Sequence, residues 1–195
     1  MTPAVRLGAA AALVVLASCA STMLPASPKP IEARDLYPLE TGNAWSYDVD
    51  SGESSTTLAV SRVERFDGRI AEVRTAQTLL RYEVLPEGIR VPHGDEWVLR
   101  APFERGATWP GRGGRTARLV SMGLRVETRA GAFEDCVLVS ETGGELELEV
   151  RTVYCPRVGP VSVESTMRSN LSDRTLTVSA ELRGYEISQT SSSSP

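Results

Sequence analysis

Hydrophobic and polar residues alternate with a period of two over most of the chain after residue 30. The clearest runs place their apolar members at Trp45, Tyr47 and Val49, at Leu146, Leu148 and Val150, and at Leu176, Val178, Ala180 and Leu182. This period is typical of β-strands that turn one face to the core and the other to water. No stretch after residue 30 keeps the spacing of an amphipathic helix for three turns. The pattern therefore predicts an all-β domain whose antiparallel strands form a curved sheet, a partial barrel or a sandwich.

Short turn signals separate the alternating runs. They stand at Asp67-Gly68, Pro86-Glu87-Gly88, Met122-Gly123, Thr142-Gly143-Gly144 and Ser172-Asp173. Because proline presets the first turn residue and glycine accepts a positive φ, the second signal predicts a hairpin of residues 82–84 with 89–91. Val60, Val63 and Phe66 fall out of phase with one another, and this predicts a β-bulge before Asp67.

One short segment occurs twice. Residues 38–45 (PLETGNAW) and 102–109 (PFERGATW) share proline, an apolar residue, glutamate, glycine and tryptophan at the same offsets. The repeat favours two duplicated halves, 38–101 and 102–187. We expect the tryptophans to anchor the core rather than form a ligand cage, because they occupy strand-like positions. The predicted structural anchors are Trp45, Trp97, Trp109, Gly42, Gly106 and Tyr154.

The N-terminus has the layout of an export signal. One positive charge at Arg6 precedes an apolar run over residues 7–16, which is too short for a stable membrane-spanning helix. The sequence Leu16-Ala17-Ser18-Cys19 then resembles the lipobox of bacterial lipoproteins. That resemblance implies that residues 1–18 are removed and that the Cys19 sulfur carries a diacylglyceryl group. The alternative is an ordinary cleaved signal followed by a chance cysteine.

The flanks of the domain differ from its interior in composition. Residues 20–30 are rich in small residues and proline, which predicts a flexible tether. Together with the lipidated Cys19 that the lipobox resemblance implies, they make residues 19–30 a lipidated N-terminus and tether. Residues 188–195 have nothing to bury and are predicted to be a disordered tail, so the β-domain should cover residues 31–187. Ala20 follows the cysteine where an aspartate would stand in the inner-membrane pattern of enterobacteria. By that resemblance the protein is expected at the outer membrane, held by its lipid.

Three further motifs resemble a loose group of uncharacterised bacterial secreted proteins and lipoproteins of β-rich type. They are P-L-x-x-G-N-x-W-x-Y at residues 38–47, A-G-x-F-x-D-C at residues 130–136 and Y-C-P-x-V-G-x-V at residues 154–161. The resemblance covers most of residues 37–165 and implies no activity or catalytic residue. Arg157 departs from it, because many of these sequences have glycine there.

Charge and cysteine usage narrow the classes of function. The chain has 21 Lys and Arg residues against 25 Asp and Glu residues, for a formal net charge of -4, so it lacks the concentrated basic face that nucleic-acid binding needs.

If Cys19 carries lipid, Cys136 and Cys155 remain as a pair in an exported chain. They form a disulfide or are two small buried hydrophobes. A tight hairpin centred on Thr142-Gly143-Gly144 would leave them out of register.

No recognisable catalytic motif is present. The chain has no G-x-S-x-G elbow, no H-E-x-x-H and no phosphate-binding loop, and its one histidine, His93, lies in a predicted turn. Glu145, Glu147 and Glu149 are expected on a hydrated strand face rather than in acid-base catalysis. The segment 111–115 (GRGGR) is either an anion cradle or, as we expect, a hairpin loop. No cofactor and no metal site are expected, and no enzyme activity.

Two classes of function remain. One is a membrane-anchored envelope lipoprotein that serves as a protein-interaction or structural module. The other is a periplasm-facing carrier or binder of a lipid or another apolar ligand, because a curved antiparallel sheet can leave a cavity. A hydrolase is a third and weaker hypothesis.

Overall fold

The computed structural model describes residues 31–52, 55–144, 147–168 and 175–188. Within these ranges the chain forms twelve β-strands, one short α-helix, α1 (Ala33–Leu36), and one 3₁₀ turn (Arg112–Gly114). The first six strands are β1 (Ala44–Asp50), β2 (Thr57–Phe66), β3 (Ile70–Thr75), β4 (Thr78–Leu85), β5 (Gly88–Arg90) and β6 (Trp97–Arg100). The other six are β7 (Thr108–Pro110), β8 (Arg115–Thr128), β9 (Gly131–Gly143), β10 (Leu148–Cys155), β11 (Gly159–Arg168) and β12 (Thr175–Glu186).

All twelve strands belong to one antiparallel, nearly closed, barrel-like sheet. Its order is β6-β5-β4-β3-β2-β1-β12-β11-β10-β9-β8-β7, so all paired strands are consecutive in sequence except β1 and β12. That pair joins a first half, β1 to β6, to a second half, β7 to β12. The outermost strands, β6 and β7, are joined by residues 101–107. The structure confirms the all-β, partial-barrel expectation, whereas the duplication of the halves stays a prediction.

The period of two that predicted the strands is visible in their burial. Trp45 and Tyr47 are buried on β1, and Leu182 pairs with Tyr47 from β12. Residues two apart on a strand share a face, so these side chains point into the sheet's concave side together. The predicted bulge before Asp67 is also present, because the register of β2 with β3 shifts between Val63 and Arg65.

One predicted turn was wrong, and another is displaced along the chain. Met122-Gly123 is not a turn but lies within β8, where the register with β9 shifts between Ser121 and Leu124 and Gly123 has φ +68°. The turn after β9 comes later than Thr142-Gly143-Gly144, because Val150 pairs with Glu141 and β10 begins at Leu148. A bulge replaces the first turn because a left-handed glycine bends a long strand as readily as it reverses one.

One end of the sheet is filled by the chain's own N-terminal segment, residues 31–39. Ala33, Leu36, Tyr37 and Leu39 in this segment are all buried, Leu36 completely. The helix α1 spans only four residues, and its turn is closed by Leu36 N–H donating to Glu32 C=O at 3.3 Å. Burial of the apolar side chains, rather than helix propensity, holds the segment in place.

The second half carries a two-stranded extension, here called the arm (residues 122–136). The pairing of β9 with β10 begins at Val137, whereas β9 and β8 stay paired down to Gly131 and Thr128. The arm reaches the β1–β12 pair: Ala130 N–H donates to Leu182 C=O at 3.3 Å, and Arg129 lies 3.1 Å from an oxygen of Asp48.

Candidate functional site

Cys136 and Cys155 are joined by a disulfide across β9 and β10. The register that pairs Val137 with Tyr154 places the two cysteines directly opposite each other. A tight hairpin centred on Thr142-Gly143-Gly144 would have left them out of register, and the bridge forms because the pairing is offset from that centre, with Val150 opposite Glu141. The bond fixes the arm where it leaves β10.

The aromatic residues expected to anchor the core are buried, and the two glycines have a left-handed backbone. Trp45, Trp97, Trp109 and Tyr154 are all buried. Gly42 and Gly106 have φ of +92° and +91°, a conformation that side chains other than glycine rarely adopt.

The two repeated segments make the same backbone hydrogen bonds. Gly42 N–H donates to Val63 C=O at 2.9 Å, and Val63 N–H returns a bond to Asn43 C=O at 2.8 Å. In the second segment, Gly106 N–H donates to Leu119 C=O at 2.8 Å, and Leu119 N–H donates to Ala107 C=O at 2.9 Å. Each segment thus continues the sheet beyond the start of its own strand.

Only the first segment is fixed by its side chains as well. Asn43, which is completely buried, donates from Nδ2 to Pro38 C=O at 2.8 Å and accepts from Ser188 N–H at 2.8 Å. Trp45 donates from Nε1 to Val158 C=O at 2.6 Å, whereas Trp109 Nε1 is buried without a hydrogen-bond partner among the described residues. Sequence reasoning assigned no role to Asn43, although a polar residue beside a buried Trp is a usable signal.

A buried carboxylate in each half holds two arginines, and neither was predicted. Glu141 on β9 accepts from Arg115 Nε at 3.1 Å and lies 3.7 Å from Arg112. Its side chain is only 3% exposed, so the two guanidinium groups offset the cost of burying its charge. These contacts are incompatible with the alternative that residues 111–115 form an anion cradle from two free guanidinium groups, because both arginines already face Glu141.

In the first half the equivalent carboxylate is Glu83 on β4. It accepts from Arg90 Nε and from Arg69 Nε, both at 2.7 Å. These hydrogen bonds, that from Arg90 first, hold the pKa of Glu83 below its ordinary value. The carboxylate stays charged and bound at neutral pH, which makes it a structural group rather than a general acid.

Three buried tyrosines, Tyr37, Tyr82 and Tyr154, pack against one another in the interior. The ring of Tyr37 lies 5.9 Å from Tyr82 and 6.1 Å from Tyr154 in edge-on or tilted contacts. Burial raises the pKa of all three hydroxyls above its ordinary value. They therefore remain protonated at physiological pH and act as neutral hydrogen-bonding groups, not as bases.

The other sequence-predicted candidates do not come together. His93 is exposed in the turn between β5 and β6, with φ +64°. Glu147 also has a positive φ, +48°, in the turn before β10, so its expected place on a strand was wrong, while Glu149 accepts from Ser140 at 3.1 Å. Glu145 lies outside the described residues. Among the residues described, no group of His, Cys, Asp and Glu side chains has a geometry suited to a metal ion.

An open groove of about 1400 Å³ lies beside the N-terminal segment. Its walls come from that segment, the arm, the turn between β10 and β11, and the last residues of β12. Phe133 of the arm and Tyr185 of β12 meet there with ring centroids 6.0 Å apart. Sequence reasoning missed this groove because its walls come from segments that are far apart in the chain and meet only in the folded sheet.

The concave face is aliphatic at the ends of β1, β11 and β12 that lie away from the groove. There a set of aliphatic side chains on β1, β11 and β12 is only partly buried or exposed, and we call this set the aliphatic strip. Its members are Val49, Val163, Met167, Leu176, Val178 and Ala180. Leu176 is the most open of them, at 52% exposed.

Cys19, the predicted lipidation site, lies outside the described residues. In the part of the chain that the structure describes, no helix is both long and apolar enough to cross a membrane.

Solved structures resemble this fold, whereas no protein-family model and no curated protein matches the sequence. One is a "putative exported protein with YmcC-like fold" from Bacteroides fragilis, which is 15% identical with a TM-score of 0.50, over 77% of this chain and 98% of that one. Another is a "putative lipoprotein" from Parabacteroides distasonis, 11% identical with a TM-score of 0.45 over the same shares of the two chains. At these identities the likeness concerns the fold alone. The chain is therefore similar in fold to the Bacteroides fragilis protein.

Proposed function

We propose that this protein is a lipid-anchored protein of the cell envelope whose β-domain works through contacts with other proteins rather than by catalysis. The observation that carries this proposal is the filled interior beside the N-terminal segment. Trp45, Leu36 and Tyr37 occupy the space where a barrel of this kind would otherwise hold a ligand. A domain filled by its own side chains presents its outer surface and its groove to partners.

The anchor is supported by the lipobox that ends at Cys19. Each buried methylene of an acyl chain contributes about 0.8 kcal/mol, so two or more chains hold a protein at a membrane without a spanning helix. Ala20 favours the outer membrane. The description of the Bacteroides fragilis neighbour as exported agrees with an envelope location.

Labelling with radioactive palmitate tests the anchor. We expect the full chain to be labelled and to sediment with membranes, and a Cys19→Ala variant to be unlabelled and to leave the membrane fraction. Recovery of the unaltered chain from the aqueous fraction, with a free thiol at position 19, contradicts the proposal.

Site-specific photo-crosslinking in intact cells tests the contact function. A crosslinking residue is placed in turn at exposed sites such as Tyr185 in the groove and Leu79 on β4. A discrete adduct of reproducible mass from at least one surface supports the proposal. Its absence from a full scan of the exposed strand positions counts against a contact module.

A second candidate function is favoured by the aliphatic strip, which is a place for an apolar ligand such as a lipid. Exposed aliphatic side chains on a concave face are costly unless something covers them. Native mass spectrometry after gentle extraction should then show a bound mass in the wild-type chain. Leu176→Glu should lose it, and Thr177→Glu on the opposite face should keep it. A clean apo mass in repeated preparations removes this candidate.

A further inference from the structure

We propose that the groove beside the N-terminal segment binds an extended, positively charged peptide segment of a partner protein, which adds along the strand edges that border it. The proposal rests on the contact function given above and names the chemistry of the partner. Three features of the described residues lead to it: unpaired strand edges, a surplus of carboxylates and a pair of aromatic rings.

Two strands bordering the groove each have an edge without a strand neighbour. The pairing of β12 with β11 ends at Glu181, although β12 continues beside β1 to Glu186. Leu182 C=O on this edge accepts from Ala130 of the arm, so the edge without a strand partner is residues 183–186. Likewise, residues 131–135 of β9 lie beyond the start of the pairing with β10. Backbone groups along such edges are the usual template for an added extended peptide.

The charge of the groove favours a cationic occupant. Five carboxylates line it, and they belong to Asp35, Glu40, Glu134, Asp135 and Glu186. Only two guanidinium groups, those of Arg34 and Arg157, stand against them. Among the described residues, Glu134 is the one of these carboxylates in an ion pair, 3.4 Å from Arg125. The same surplus repels phosphate groups and anionic lipid headgroups.

The aromatic pair supplies the apolar part of the recognition. Tyr185 is 43% exposed although its ring contacts Phe133. Phe66, half-buried on the opposite wall, lines the same groove. Because side chains of an extended peptide point alternately to opposite sides, one set reaches these rings while the other reaches the carboxylates.

Binding is measured by fluorescence anisotropy with the detergent-extracted full chain and a labelled peptide, acetyl-KPLKVFKVLK-amide. Two further peptides serve as probes, one with glutamate in place of each lysine and one N-methylated at alternate backbone nitrogens. We expect the first peptide to bind, the acidic peptide not to bind, and the methylated peptide to bind at least about tenfold more weakly. Equal binding of the methylated peptide overturns the addition along a strand edge.

Matched variants locate the site. The triple variant Glu40→Gln, Asp135→Asn and Glu186→Gln should weaken binding about tenfold, because it removes three carboxylates of the groove. The control variant Glu87→Gln, Glu104→Gln and Glu164→Gln removes three exposed carboxylates elsewhere and should change binding less than about twofold. An equal loss in both variants means that net charge alone attracts the peptide, and it overturns the proposal.

Two outcomes separate this proposal from the contact function itself. If Lys29→Gln strengthens peptide binding, the chain's own tether is the occupant and no partner segment is needed. If photo-crosslinking yields a discrete adduct at Leu79 but none at Tyr185, the contact function stands and the groove is not its site. An adduct at Tyr185 that the groove triple variant abolishes supports the proposal.

Discussion

The two Pro–Trp segments have the same backbone frame but are not equally fixed. At residues 38–45 the frame is reinforced by two side chains, because Trp45 donates to the distant Val158 C=O and Asn43 accepts from the distant Ser188 N–H. At residues 102–109, Ala107 replaces the asparagine and Trp109 Nε1 has no hydrogen-bond partner among the described residues. The comparison teaches that the shared backbone hydrogen bonds are enough to begin a strand. Only side chains such as Asn43 and Trp45 also tie the beginning of that strand to the other half of the domain.

The largest effect on stability is expected at the two buried carboxylates, Glu141 in the second half and Glu83 in the first, whose arginine partners differ in burial. Glu141→Ala leaves Arg115, only 14% exposed, without its counter-charge and should lower the free energy of unfolding by about 3–5 kcal/mol. Glu83→Ala should cost less, because Arg69 is 68% exposed and is readily rehydrated. Urea unfolding of both variants checks the order. Equal losses would mean that burial of the arginines does not matter.

Asn43→Ala gives the first segment the residue found in the second. It removes two buried hydrogen bonds and leaves Pro38 C=O and Ser188 N–H unpaired, so we expect a loss of about 2–3 kcal/mol in urea unfolding. Asn43→Asp keeps the acceptor for Ser188, so its free energy of unfolding should fall between those of the wild type and Asn43→Ala. A loss below about 0.5 kcal/mol would show that the amide does not join the ends of the domain.

Replacement of each tryptophan by phenylalanine compares the two indoles. Trp45→Phe removes ring volume and also leaves Val158 C=O unpaired, so its cost should exceed that of Trp109→Phe by about 1–2 kcal/mol. Thermal unfolding followed by circular dichroism measures the difference. A larger loss for Trp109→Phe contradicts the comparison.

The equivalence of the two backbone frames is tested by Gly42→Ala and Gly106→Ala. No backbone or rigid atom lies close to either added Cβ, since the nearest atoms are Ser188 Oγ at 3.8 Å and an Arg118 side-chain nitrogen at 3.9 Å. The cost is therefore conformational, about 1–2 kcal/mol, and should be equal at the two sites within about 0.5 kcal/mol. Clearly unequal losses would show that the frames differ in strain.

The smallest expected effect is the loss of stability at acidic pH. Since the pKa of Glu83 is lower in the folded chain than in the unfolded chain, its ion pairs stabilise the fold above the unfolded value of about 4.3. That stability is lost as the pH falls through the lower, folded value. Unfolding free energies of wild type and Glu83→Gln should therefore differ from pH 7 to pH 5 and converge below about pH 4. Glu87→Gln, an exposed control, should show no such convergence.

The strands were predictable from sequence because burial on one face imposes a period of two, as in Leu182 and Tyr47. The bulge near Val63 was predictable for the same reason, since a bulge shifts that period by one residue. Met122-Gly123 was misjudged because a left-handed glycine serves a turn and a bulge alike. Glu83 and Glu141 were missed because an alternating charged residue is normally hydrated, and only the tertiary fold brings two arginines to each.

The groove could not be predicted at all, because its walls are far apart in sequence. Phe133 and Tyr185, for example, are 52 positions apart, and their rings meet because the arm folds back over β12. Arg157, where the resembling group has glycine, has φ +64°, so the position does need the backbone that glycine provides. Its N–H donates to Asp35 C=O at 2.5 Å, a bond to the N-terminal segment that no local pattern encodes.

The buried position of residues 31–39 determines how the domain responds to mechanical load. Force applied at residue 31 must first extract Leu36 and Tyr37 from the interior before it reaches Asn43, whose amide bonds Ser188 at the other end of the domain. Tension is thereby shared between the first and last strands and is not concentrated on a single edge that could unzip. We therefore expect the segment to delay the separation of β1 from β12 when the domain is pulled from its N-terminal side.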